Sequence, residues 1–299
     1  MHHALTLVLS ILVLAAVLTQ GEWISRHVRY APAVRAAAVT IVALLIPANA
    51  QALWVAPGSP FAVVVAVASV ALLIGYAGAI VLLRFAAPPV AAPRRILAIG
   101  AHPDDLELAC GGALAKFVDA GHDVHVLVMS RGSVGGDQGE RIVEARRGAS
   151  FLGAQSVVVH DFPDTMLQEV GQGLVAAIEA AITQVCPDVI LTHSAHDQHQ
   201  DHAAVHAATL RAARTQSTIL CYESPSVTRD FNPSVFIDIA DYLDIKVQAV
   251  RMHRDQSGKP YMSAQRLRGV ATFRGAQAKR QFAEAYEPVR LLGSAVGDL

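Results

Sequence analysis

Cysteine is scarce in this chain. Only Cys110, Cys186 and Cys221 stand among 299 residues, and no two form a CxxC pair. A disulfide framework is thereby excluded. Free, mostly buried thiols are expected, since a free cysteine packs as a small hydrophobe, and they fit a reducing compartment. Charge is also sparse: Asp, Glu, Lys and Arg make up 16%, the net charge is −1, and the pI is about 6.9. No broad electrostatic case for nucleic acid as a partner exists. The sequence has neither GxGxxG nor a phosphate-loop motif, which removes the familiar nucleotide cradles. A cleaved signal peptide is disfavoured too. Only His2 and His3 precede the first apolar run, and the nearest A-x-A, Ala31-Pro32-Ala33, lies well beyond its end.

Apolar residues are abundant instead, at 53%, and the surplus is concentrated before residue 88. Three runs there predict transmembrane helices near residues 4–24, 36–56 and 61–83, against the roughly 20 apolar residues a span requires. Trp23 is expected to anchor the end of the first at the interface. Pro47, Asn49 and Gln51 weaken the second. Arg26, Arg29 and Arg35 follow the first run, and Arg84, Arg94 and Arg95 follow the third, whereas the link Gly58-Ser59-Pro60 has no cation. Placing both arginine groups inside predicts a multi-pass cell-membrane protein with its large domain in the cytoplasm. The predicted organisation is a membrane region over 1–87, a Pro/Ala-rich linker over 88–93 and a soluble domain over 94–299.

In the soluble part, short apolar runs alternate with helical patterns. Strands are predicted over 95–100, 125–129, 156–160, 188–192 and 218–222, with helices over 106–120, 140–152, 174–185 and 203–214. This alternation predicts an α/β, Rossmann-like, mostly parallel sheet with helices on both faces. Ligands in such folds gather at the carboxyl ends of the strands. Two strand ends there are dense in His and Asp.

The first reads Ala101-His102-Pro103-Asp104-Asp105-Leu106-Glu107, the second His193-Ser194-Ala195-His196-Asp197-Gln198-His199-Gln200-Asp201-His202, with His206 a turn later. Imidazole and carboxylate both suit zinc. Two adjacent carboxylates repel unless a cation is near, although an Asp pair also suits a helix N-terminus. His206 fits a packing role at least as well as ligation.

These strings carry a resemblance. Ala101 to Glu107, leading into Gly111-Gly112, resembles the signature of the PIG-L/LmbE-type deacetylases, and His199-Gln200-Asp201-His202 resembles that family's second metal motif. Arg141-Ile142-Val143-Glu144-Ala145 and the tail Ala283-Glu284-Ala285-Tyr286-Glu287 match its pattern as well. The resemblance implies a zinc hydrolase removing acetyl from N-acetylglucosamine-type amides, lipid-linked conjugates among them. It implies His102, Asp105 and His202 as zinc ligands, Asp104 as general base, His199 as the group steadying the oxyanion and aiding departure of the amine, and Asp201 as the partner orienting an imidazole. Arg141 would contact substrate, or else pair structurally with Glu144. Ser130 and Ser133 depart from the family's Thr-x-Gly-Glu stretch, so substrate identity is open. A metal-binding sensor or lipid-binding module without catalysis is the competing reading; Asp104, which ligation alone would not need, argues against it.

Overall fold

The computed structural model describes residues 2–54, 59–85 and 90–293, and the chain divides into two compact units, Met1–Ala86 and Ala87–Leu299. Part of the expected linker, Pro88 and Pro89, lies outside the described residues, as does Gly58 of the expected cation-free link.

The first unit holds α1 (His2–Thr19), α2 (Gly21–His27), α3 (Ala31–Trp54) and α4 (Pro60–Leu82). Two of these, α3 and α4, are long and apolar enough to cross a membrane. The first expected span is not one straight helix. It bends by 75° between Thr19 and Gly21. Gln20 leaves the helical region (φ −101°, ψ 25°), and glycine, a poor helix former, opens the next segment. Trp23 thus belongs to the separate helix α2, stacked on His27 with ring centroids 4.9 Å apart. Asn49, which weakens the second run as a sequence, is fully buried and links three helices. Its Oδ1 accepts from Thr6 Oγ1 at 2.6 Å, and its Nδ2 donates to Ser69 Oγ at 2.8 Å. A buried amide is tolerated where its hydrogen bonds are met.

In the second unit a seven-stranded sheet runs in the order β3-β2-β1-β4-β5-β7-β6. Its strands are β1 (Arg95–Gly100), β2 (Asp123–Ser130), β3 (Ser156–Phe162), β4 (Val189–His193), β5 (Ile219–Tyr222), β6 (Val235–Asp238) and β7 (Ala283–Arg290). The first five are parallel, and β7 alone runs against its neighbours. The helices are α5 (Asp105–Ala120), α6 (Gln138–Leu152), α7 (Gly171–Val185), α8 (Gln200–Ala212), α9 (Leu243–Val250) and α10 (Ala264–Ala278). Alternation along the strands sorts the core. Leu97 and Ile99 of β1, Leu127 and Met129 of β2 and Ile190 of β4 face Leu174 and Ile178 of α7 and Val205 and Ala208 of α8. α5, α6 and α9 pack together as a separate group.

Two features of this sheet place the site. Strand order reverses between β1 and β4, which creates the crevice where such sheets take ligands. β1 delivers His102 there and β4 delivers His193. Second, α5 is broken at Cys110 (φ −130°, ψ 15°). The backbone groups freed by the break are met by long-range side chains. Lys246 Nζ donates to Ala109 O at 3.1 Å, and the Glu284 carboxylate accepts from Gly112 N at 2.9 Å and Ala113 N at 2.8 Å. Lys246 and Glu284 pair with each other at 2.6 Å. The break ends the short first segment of α5, which opens with Asp105 and is preceded by Asp104.

Candidate active site

The loop leaving β1 folds back on itself. Asp105 Oδ2 accepts from Ala101 N at 2.9 Å and His102 N at 2.7 Å. Gly100 makes this possible by closeness: a Cβ there would lie 3.3 Å from that of Asp105. Ser130, buried at the end of β2, donates its hydroxyl to Ala101 O at 3.0 Å and fixes the other side of the loop. Asp105 is thereby pinned as the first residue of α5, with Asp104 as the residue preceding it.

Three of the expected site residues converge. His102 Nδ1 lies 3.3 Å from His202 Nε2 and 3.6 Å from Asp105 Oδ2, and His202 Nε2 lies 3.3 Å from Asp105 Oδ1. All three residues are buried. The outer nitrogens of both rings are held by carboxylates. His102 Nε2 is 3.0 Å from Asp201 Oδ2 and 3.1 Å from Asp164 Oδ1, and His202 Nδ1 is 2.8 Å from Asp197 Oδ2. Such partners fix ring orientation and raise the basicity of the inward nitrogen. Asp197 is itself held by Ser224 and Ser226. Asp201 also accepts from Thr165 N at 2.7 Å and Leu167 N at 3.0 Å, tying the loop after β3 to α8.

Among the described residues, three groups could hold a metal ion: His102 with His199 and His202, Asp105 with His193 and His202, and His102 with Asp164 and Asp201. His102 and His202 each belong to two of them. Electrostatics favours a cation here. Asp104, Asp105, Asp164, Asp197 and Asp201 are all buried, and Arg141 is the guanidinium among them. Burial opposes charge on His202, yet Asp105 and Asp197 overcome it and push the ring up to about 9. For His102 the same contest ends well above the ordinary imidazole value, through Asp105, Asp164 and Asp201. His193 goes the other way, to about 4, because burial and the stacked His202 ring outweigh Asp105. Two inward nitrogens at 3.3 Å can share only one proton; a metal ion would satisfy both.

His199 ends the loop before α8, and its Nδ1 accepts from Asp201 N at 3.2 Å. That fixes the ring proton on Nε2. The ring is stacked on His202 at 4.5 Å between centroids and is half-buried in the cavity wall. Asp104 is buried, and burial followed by the charge of Asp105 raises its pKa against the opposing pull of Arg141. Arg141 Nη2 donates to Asp104 Oδ1 at 3.1 Å and Nη1 to Gly132 O at 2.7 Å. Gly132 sits at φ +67°, and a Cβ there would fall 2.2 Å from Arg141 Nη1, so only glycine permits this contact. The expected structural pairing of Arg141 with Glu144 does not form. Glu144 instead accepts from the backbone N–H groups of Arg254 and Asp255.

Other residues take part that sequence reasoning did not single out. Asp164, after β3, and Ser224 and Ser226, after β5, lie at carboxyl ends of strands, so the rule that marked His102 and His193 also covers them. Tyr261 and Lys259 line the cavity from far along the chain. Arg131, by contrast, pairs with Asp161 at 3.1 Å on the surface, Cys110 is wholly buried, and His206 Nδ1 bonds to His193 O at 2.8 Å outside every candidate metal group. The cavity has a volume of about 250 Å³.

A mostly parallel α/β sheet with a buried His/Asp cluster at its switch point defines a protein with residues that could hold a metal ion beside a carboxylate. Comparison with known proteins narrows this. Residues 97–213 match the family model described as PIG-L: GlcNAc-PI de-N-acetylase. The Escherichia coli (strain K12) protein named Uncharacterized deacetylase YaiS is 36% identical over 166 residues, spanning 53% of this chain and 90% of that one. The diacetylchitobiose deacetylase of Thermococcus kodakarensis is 30% identical over 223 residues, 64% of this chain and 81% of that one. This chain belongs to the PIG-L family. Solved structures share the fold. The N,N'-diacetylchitobiose deacetylase from Pyrococcus horikoshii superposes with a TM-score of 0.58 at 21% identity, over 67% of this chain and 85% of its own. GalB from Pseudomonas putida KT2440, described as a 4-carboxy-2-hydroxymuconate hydratase, gives 0.57 at 22%, over 67% and 97%. One fold thus bears names of different reactions, and the reaction must be argued from the site.

Proposed function

We propose that this protein is a membrane-anchored, zinc-dependent hydrolase that removes the acetyl group from an N-acetylglucosamine-type amide, with lipid-linked aminosugar conjugates within its substrate range. The observation that carries the reading is the pairing of a metal-competent cluster with Asp104, a buried carboxylate directly beside it whose hydrogen-bond partner is Arg141. His102, Asp105 and His202 would hold the metal. When bound, zinc supplies a Lewis acid for the acyl carbonyl and lowers the pKa of water to about 7. The donor set fits that ion: imidazole and carboxylate groups at mutual distances of 3.3 to 3.6 Å, with outer nitrogens anchored.

The chain's own residues would do the remaining work. Asp104 accepts the proton of the attacking water and returns one to the departing amine. Arg141 holds Asp104 Oδ1 and so aims its other oxygen; the same guanidinium borders the cavity a substrate enters. His199, protonated at Nε2, donates to the oxygen that gains negative charge. Asp201 keeps the His102 ring turned inward. The relatives named as deacetylases of chitobiose and of other aminosugar conjugates support this substrate class. The arginines flanking the apolar helices support a cytoplasmic catalytic domain on a multi-pass cell-membrane anchor. The test is zinc content measured together with amine release from an N-acetylglucosaminide. An enzyme shows both, and zinc bound without any hydrolysis would leave a metal sensor.

A further inference from the structure

A second cavity, of about 170 Å³, adjoins the candidate site and shares Leu108, Pro225 and Tyr261 with it. Beyond them it is walled by Val227, Leu267 and Ala271. Most of its polar lining is already engaged, Ser224 with Asp197 among it, and Arg266 is an exposed cation of that lining. Lys246 is paired with Glu284 at 2.6 Å, and Glu223 holds Arg274 at 2.6 and 2.8 Å. What remains for a ligand is an apolar groove about as large as a cavity of ~150 Å³ that holds benzene.

The walls of the main cavity decide what enters it. Asp164, Thr165, Ser226, Arg141 and Lys259 form polar walls, and apart from Val134 the apolar corner is Leu108, Pro225 and Tyr261. Val134 is mostly exposed. An N-acylated aminosugar is polar everywhere except at its acyl chain, so complementarity turns that chain toward Leu108. Leu108 lies one helical turn beyond Asp104, its N–H donating to Asp104 O at 3.1 Å. A chain longer than acetyl would continue from that corner into the groove.

The geometry points to the groove as an acyl subsite, which lets the enzyme take N-acyl chains longer than acetyl, up to about hexanoyl. This rests on the hydrolase reading above and adds the acyl specificity. The chemistry is the same: water adds at the carbonyl carbon, the C–N bond breaks, and a longer carboxylate leaves with the free amine.

The test measures kcat/KM of the full chain in detergent on N-acetyl-, N-butyryl- and N-hexanoyl-glucosaminides with one methyl aglycone. An N-acetyl substrate with an octyl aglycone forms a separate arm. We expect hexanoyl to exceed acetyl by about tenfold or more, the effect of filling a hydrophobic pocket. Ala271→Leu, and independently Val270→Trp at a half-exposed groove position, should each lower the hexanoyl-to-acetyl ratio toward one, with thermal unfolding confirming that the variant is folded. A wild-type ratio of one or less overturns the proposal, as does a ratio that neither variant moves. Preference for the octyl aglycone, lost in the variants, would assign the groove to the aglycone and also overturn it. Failure to hydrolyse any amide, acetyl included, would remove the hydrolase reading and this proposal with it, whereas acetyl turnover alone leaves that reading standing.

Discussion

Replacing Asp104 by Asn removes one charge and one proton acceptor from a buried position with almost no change in volume. Two consequences can be sized separately. For stability, the hydrogen bond from Arg141 Nη2 at 3.1 Å keeps an acceptor in the amide oxygen but loses its charge assistance, a cost of about 1 kcal/mol. Part of that is returned, because the repulsion between Asp104 and Asp105 disappears. A net change of about 1 kcal/mol or less shifts Tm by roughly 4 °C or less in a domain of this size. For catalysis, loss of a general base lowers kcat by about 10²- to 10⁴-fold, or ~3–5 kcal/mol of barrier. The first set of metal contacts is untouched, so zinc content should hold, and KM should change little because the base acts in the transition state. The assay is amine release from an N-acetylglucosaminide, with zinc analysis and thermal unfolding on the same preparation. Wild-type kcat with zinc retained would refute the assignment of the base. Loss of zinc would show that Asp104, rather than Asp105, is the ligand.

Three further outcomes are expected. His202→Ala should lose most bound zinc, since His202 belongs to two of the three candidate metal groups and faces both His102 and Asp105; full occupancy by elemental analysis would transfer the metal to the His102, Asp164 and Asp201 group. Asn49→Leu should destabilise the helical unit by about 1–3 kcal/mol, at ~0.6–1.7 kcal/mol for each interhelical bond, to Thr6 and to Ser69. Unfolding in detergent measures this, and an unchanged midpoint would mean the amide contributes nothing. A reporter fused after residue 299 should be active only as a cytoplasmic probe; alkaline phosphatase activity there would reverse the proposed orientation.

Much of the fold was legible because its signals are local. The run at 95–100 predicts β1 (Arg95–Gly100) to the residue, and the helices expected to end at 120 and 152 do end there, each followed by a glycine, Gly121 or Gly153, where the backbone turns left-handed. β6 and β7 escaped notice because they lie outside the strand–helix alternation that revealed the other five. The expected first span departs from a straight helix at one residue, Gln20, where the chain bends and no composition average registers it.

For the candidate site, sequence determined which residue types gather at the ends of β1 and β4, since strand ends in a parallel sheet share one rim. Tertiary structure alone decided how they divide the work. Asp201 turns to His102 and Asp197 to His202, and Asp164 arrives from a third strand end. Arg141 pairs with Asp104 rather than with its helical neighbour Glu144. The break in α5 is met by Glu284, 172 residues from Gly112. Spacing along a chain constrains partners only within a turn of helix or a pair of strand residues. A hydrogen bond between distant residues depends on where packing sets both backbones, and periodicity carries no record of that.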